Sequence, residues 1–67
     1  MKNERKIEER KIRKERIIIG AINIFKKKGV ENATMSEIAK ESGFGTATLY
    51  YYFPSKEEIL INMMERG

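Results

Sequence analysis

Two helix-start signatures stand 21 residues apart in this chain, and the residues around them leave little choice of fold. In Thr34-Met35-Ser36-Glu37 the threonine hydroxyl can accept the N–H three residues on, while the glutamate reaches back to the threonine N–H. Ala33 and Ile38 are placed to form the apolar staple around that box, with Ile38 and Ala39 facing inward. The second box is Ser55-Lys56-Glu57-Glu58, preceded by Pro54. The helix opened at Thr34 should close near Ser42, where Gly43 supplies a left-handed turn residue. Helices shorter than about 12–15 residues are marginal alone in water, so this one must pack against neighbours.

Upstream, apolar residues recur at helical spacing: Ile17, Ile18, Ala21, Ile22, Ile24 and Phe25, with Ile18, Ile22 and Phe25 on one stripe. Lys26, Lys27 and Lys28 followed by Gly29 end that helix, because cations suit its carbonyl end and glycine suits the turn beyond it. Gly20 inside it costs about 1 kcal/mol against alanine, either to permit close packing or because it is tolerated. Downstream, the helix opened at Ser55 should bury Ile59, Leu60 and Met63 and run to the chain end at Gly67. Its start is well marked and its finish is not, so the natural protein or a partner is expected to continue from there.

The segment between the boxes has its own character. Gly43-Phe44-Gly45 reads as a tight turn with one apolar plug, and Thr46 to Phe53 as a short third helix. At about 100° per residue, Leu49 and Phe53 share its buried stripe. Ala47, Thr48 and Tyr51 face outward, and Tyr50 and Tyr52 flank the stripe on opposite sides, Tyr50 with its ring half-buried and its hydroxyl outward. Three consecutive helical residues span about 200°, so Tyr50, Tyr51 and Tyr52 cannot all be buried. Core packing explains Phe44, Leu49 and Phe53 and leaves at least one tyrosine for an interface.

Charge sharpens the contrast. Lys, Arg, Asp and Glu make up 36% of the 67 residues, yet none lies between Glu41 and Lys56. Residues 1–16 hold eight Lys/Arg against four Glu, and residues 17–67 hold six of each, so the net +4 belongs to the N-terminal arm. Such an arm attracts polyanions. It reads as a basic tail or an extension of the first helix. With no Cys, His or Asp, the chain lacks disulfides, thiol nucleophiles, the usual general base and most metal ligands, so neither an enzyme nor a cofactor is expected. No apolar run approaches the ~18 residues of a membrane span and no secretory signal opens the chain, which points to the cytoplasm.

A helix of about two turns, a glycine turn and a second short helix form a helix-turn-helix, which places the start of its second helix in the DNA major groove. That explains the missing charge, since a helix entering a groove must approach base edges closely. Ala and Thr methyls can touch a thymine methyl, Thr hydroxyls can bond bases or phosphate, and a tyrosine hydroxyl can reach a phosphate while its ring packs.

The ordered series Phe25, Gly29, Thr34, Ile38-Ala39, Gly43, Leu49-Tyr50, Phe53, Lys56 and Leu60 resembles the DNA-binding domain of the TetR family of bacterial transcriptional repressors. The resemblance runs without gaps from about Ile17 to Leu60. It implies an all-α, homeodomain-like fold: a three-helix DNA-binding bundle with a helix-turn-helix, plus the start of a fourth helix, over residues 17–67. It also implies a homodimer reading a palindromic operator on double-stranded DNA, and a small-molecule inducer bound by a C-terminal domain absent here. By position, phosphate contacts fall on Thr34, Ser36, Tyr50, Tyr52 and Lys56, and base-proximal positions on Thr46, Ala47, Thr48 and Tyr51. Arg10, Arg13 and Arg16 are candidates to reach the minor groove. The chain departs from the family's usual Ser at Gly45, from a longer polar residue at Thr46, from Gly at Ala47 and from His at Tyr52. Readout without an Arg or Asn fork should lean on methyls, hydroxyls and DNA shape, which suggests an A·T-containing half-site.

Two other readings compete. In a protein-interaction module, the tyrosine face and Met63-Met64 would dock a partner helix and the basic arm would be incidental. In a membrane-surface peptide, the arm and the isoleucine run would bind lipid, but the isoleucines are needed for the core.

Overall fold

The computed structural model describes the backbone of residues 2–66 and the side chains of residues 8–65. All of the regular structure among them is helical: α1 Lys2–Lys28, α2 Met35–Ser42, α3 Thr46–Tyr52 and α4 Lys56–Arg66. The expected chain end of α4 at Gly67 lies outside the described residues.

α1 is one continuous helix, so the basic arm is helical backbone from Lys2 onward. Its 27 residues account for the 41 Å long axis of the molecule, at about 1.5 Å rise each. Side chains 8–16 are exposed, and burial begins at Ile17. The helix stops where expected. The Gly29 N–H closes on the Phe25 carbonyl at 2.8 Å, Gly29 takes φ 80°, and Asn32 Nδ2 donates to the freed Lys28 carbonyl at 3.0 Å.

α2 is capped at both ends by its own sequence. Thr34 Oγ1 accepts the Glu37 N–H at 3.1 Å, and Glu37 Oε1 accepts the Thr34 N–H at 3.1 Å, completing the box. At the other end Gly43 takes φ 81°. Its N–H reaches the Lys40 carbonyl at 3.2 Å, and the Phe44 N–H reaches the Ala39 carbonyl at 2.9 Å. That pair of bonds satisfies the last turn, and Phe44 folds back beside Ala39 against the core. α3 has no side-chain cap, since Gly45 precedes it in extended conformation, and it ends at Phe53. Ser55 Oγ accepts the Glu58 N–H at 3.3 Å to open α4.

α1 packs on α2, α2 on α3, and α4 returns to α1. The core is Ile17, Ile18, Ala21 and Ile24 of α1, Ala33, Ile38 and Ala39, Leu49 and Phe53, and Ile59. The buried seam of α1 is rotated from the expected stripe: Ile17, Ala21 and Ile24 carry it with Ile18, while Ile22 and Phe25 lie half-buried at its flank. The cause is Gly20. A Cβ built there would stand 3.0 Å from both Cβ and N of Ser42, so α2 sits directly on the glycine and draws that side of α1 inward. Along α4, Ile59 is buried as expected, whereas Leu60 and Met63 are only half covered.

Candidate nucleic-acid interface

Because Leu49 and Phe53 are held in the core, the opposite side of α3 must face water. Thr46 and Ala47 are exposed and Thr48 is half-buried. Tyr51 is 72% exposed and Tyr50 52%, while Tyr52 lies half-buried against the core. Of the positions expected near bases, Thr46, Ala47 and Tyr51 therefore line one uncharged face beyond the glycine turn, and Thr48 lies at its half-buried edge. The hydroxyls of Thr46, Thr48, Tyr50 and Tyr51 have no partner among the described residues. The Tyr51 and Tyr52 rings meet edge to face, 5.1 Å between centroids at 86°, which limits how far either swings.

The N-terminal turn of α2 carries two more of the expected phosphate positions. Ser36 is exposed with its hydroxyl unpartnered among the described residues. The Thr34 hydroxyl is already committed, accepting from the Glu37 N–H and donating to Glu37 Oε1 at 3.0 Å. Glu37 in turn pairs with Lys28. The Lys28 ammonium, then the Thr34 hydroxyl, holds the Glu37 carboxyl below its ordinary range.

Lys56 has a task that its position in sequence did not show. Its Nζ donates to the carbonyls of Val30 at 2.7 Å, Glu31 at 3.0 Å and Ala33 at 3.0 Å. An ammonium has three protons, and all three are used. The side chain thus ties the start of α4 to the loop that carries the α2 cap, and a direct bond to phosphate must compete with those carbonyls. One sequence signal pointed this way: a cation in the first turn of a helix opposes the helix dipole, so it needs another partner.

The arm supplies two contacts that sequence reasoning missed. Arg13 donates from Nη1 to the Tyr52 hydroxyl at 3.4 Å, and Lys14 Nζ lies 6.0 Å from the Phe53 ring centroid. Both bring charge to the edge of the uncharged face. A gap between α1 and the far end of α3 is lined by Arg10, Lys14, Tyr51 and Tyr52. Arg16 is exposed on another side of α1. No described helix is long and apolar enough to cross a membrane.

This arrangement, a half-buried two-helix unit presenting methyls and hydroxyls, agrees with what related proteins are. A family model described as bacterial regulatory proteins, tetR family, matches residues 17–63. The uncharacterized HTH-type transcriptional regulator YfiR of Bacillus subtilis (strain 168) is 40% identical over 55 residues, which are 82% of this chain and 27% of YfiR. YerO of the same organism, likewise named an uncharacterized HTH-type transcriptional regulator, is 43% identical over 53 residues, 79% of this chain and 18% of YerO. The biofilm operon icaADBC HTH-type negative transcriptional regulator IcaR of Staphylococcus epidermidis is 38% identical over 52 residues, 78% of this chain and 28% of IcaR. The chain therefore spans about a quarter of the length of such relatives or less. No solved structure matches it. With the family match covering most of its length and the helix-turn-helix in place, the chain belongs to the TetR family of bacterial regulatory proteins.

Proposed function

We propose that this chain is the operator-reading head of a transcriptional repressor, binding double-stranded DNA by sequence. The observation that carries the reading is the face of α3 on which Thr46, Ala47 and Tyr51 stand exposed and uncharged. In this reading α3 enters the major groove. Thr46, Ala47, Thr48 and Tyr51 approach base edges, where their methyls and hydroxyls suit A·T-containing sites. Ser36 and Tyr50, with free hydroxyls, bind phosphate on either side; Thr34 joins them by redirecting bonds it now makes within the chain, and Tyr52 by donating the hydroxyl proton that its bond from Arg13 leaves unused. Lys56 adds positive potential there while it holds the loop. Repression is supported by IcaR, a negative regulator by name. A palindromic operator follows if the whole protein is a homodimer presenting two such heads, and an inducer would act through the part of the protein beyond this head, in the cytoplasm where DNA is reached.

Selection from a random duplex pool, followed by salt titration of the winner, tests this. A palindromic or half-site winner bound far better than random duplex is expected. Uniform weak binding, both for the single head and for two tethered heads, would refute sequence reading by α3.

A further inference from the structure

The net charge of the arm is not spread evenly around α1. At about 100° per residue, Arg10, Arg13, Lys14 and Ile17 share one stripe, and Glu8, Glu9 and Glu15 lie about 90° or more from its centre. Ile17 is fully buried, which turns that stripe toward α3. The contacts agree: Arg13 bonds Tyr52, Lys14 lies over Phe53, and Arg10 and Lys14 face Tyr51 and Tyr52 across the gap between the helices. Arg13 has a further neighbour in Glu9, whose influence on it is weaker than that of Tyr52. Among the described arm residues, Arg10 and Lys14 thus meet the two tyrosine rings with no arm carboxylate lining the gap, while Glu58 and Glu65 of α4 line the adjoining hollow that Lys14 and Tyr52 share. The Tyr52 oxygen accepts from Arg13, which leaves the hydroxyl proton to donate elsewhere.

We infer that this cleft is a second nucleic-acid site: Arg10, Lys14 and the Tyr52 hydroxyl grip the phosphodiester backbone beside the strand that Tyr51 borders. The inference rests on the DNA-binding reading above. It differs from that reading in giving the helical arm a fixed seat against α3, through Arg13 and Tyr52, where it acts on phosphate from the side of the groove. Complementing the carbonyl end of α3 is a second effect of the same cations, and it leaves no trace in a salt titration of DNA binding.

The test compares the intact chain with R10Q/K14Q, with R10K/K14R, and with K26Q/K27Q, which removes the same charge from exposed lysines at the other end of α1. Each is titrated across salt by fluorescence anisotropy with the selected duplex, or with a random-sequence duplex if selection yields none. Circular dichroism confirms the helical content of each. Two lost phosphate contacts should lower the slope of log K against log salt by about 1.8 in R10Q/K14Q. R10K/K14R should retain the slope, and K26Q/K27Q should leave it nearly unchanged. An unchanged slope in R10Q/K14Q, or equal losses in both Gln pairs, overturns the cleft while leaving DNA binding standing. Absence of duplex binding by the unaltered chain overturns both.

Discussion

Replacing Gly20 by alanine asks whether close packing or helix propensity governs the middle of α1. In an open helix the change would stabilise by about 1 kcal/mol, because alanine restricts the unfolded chain more and favours the helix. Here the added Cβ would stand 3.0 Å from Ser42 Cβ, 3.0 Å from Ser42 N and 3.2 Å from Ser42 Cα. Two of those three atoms are backbone, so no rotamer change relieves the contact. The last turn of α2 is also braced. Ser42 Oγ donates to the carbonyls of Ile38 at 2.8 Å and Ala39 at 3.1 Å, and Gly43 and Phe44 close the turn behind it. Overpacking of this kind costs about 1–3 kcal/mol, which exceeds the propensity gain and leaves a net loss of about 1 kcal/mol. For a domain of this size the loss corresponds to a Tm about 4–8 °C lower. Thermal unfolding followed by circular dichroism reads it directly. Because α2 carries α3, the shift that admits the methyl should also weaken duplex binding. A Tm equal to or above that of the unaltered chain would refute the argument, since it would mean that α2 yields freely at Ser42.

Tyr50→Phe removes one free hydroxyl from the edge of the α3 face. With the fold intact, duplex affinity should fall by about 1.5–3 kcal/mol if that hydroxyl bonds a charged phosphate, and unchanged affinity removes it from the interface. Lys56→Met should lower the Tm by freeing the Val30, Glu31 and Ala33 carbonyls, yet leave the salt slope of DNA binding unchanged. A slope reduced by about 0.9 would instead mean that Lys56 leaves those carbonyls for phosphate. The Glu37 carboxyl, lowered by Lys28 and Thr34, binds its proton less readily folded than unfolded. Its stabilisation is therefore complete above the ordinary glutamate range and is lost as pH falls through its lowered folded value. Urea midpoints measured across acid pH should show that loss, and E37Q should remove it.

How much of this was legible in the chain divides by the range of the interaction. Thr34 and Glu37, Gly29, and Gly43 marked helix ends correctly, because each satisfies backbone groups within five residues of itself. The outward position of Ala47 and Tyr51 followed from Leu49 and Phe53 in the same way, since seven residues of helix carry their own angular spacing. Ser55 was legible as the cap of α4 for the same reason.

The side of α1 that is buried was not legible. Its apolar residues spread too widely around the helix for spacing alone to choose between Ile18-Ile22-Phe25 and Ile17-Ala21-Ile24, and the close approach of Ser42 to Gly20 made the choice. The three carbonyls on Lys56 come from residues 23 to 26 positions away, and the Arg13 partner Tyr52 is 39 away. By itself, then, the sequence determined where α1 stops, where α2 begins and ends and where α4 starts, which face of α3 is free of charge, and that the N-terminal arm is positive. Only the tertiary structure decided that this arm turns its cations toward the tyrosines and that Lys56 serves the chain's own carbonyls. Those outcomes depend on how helices cross, which is settled by packing between distant residues rather than by preferences along the chain.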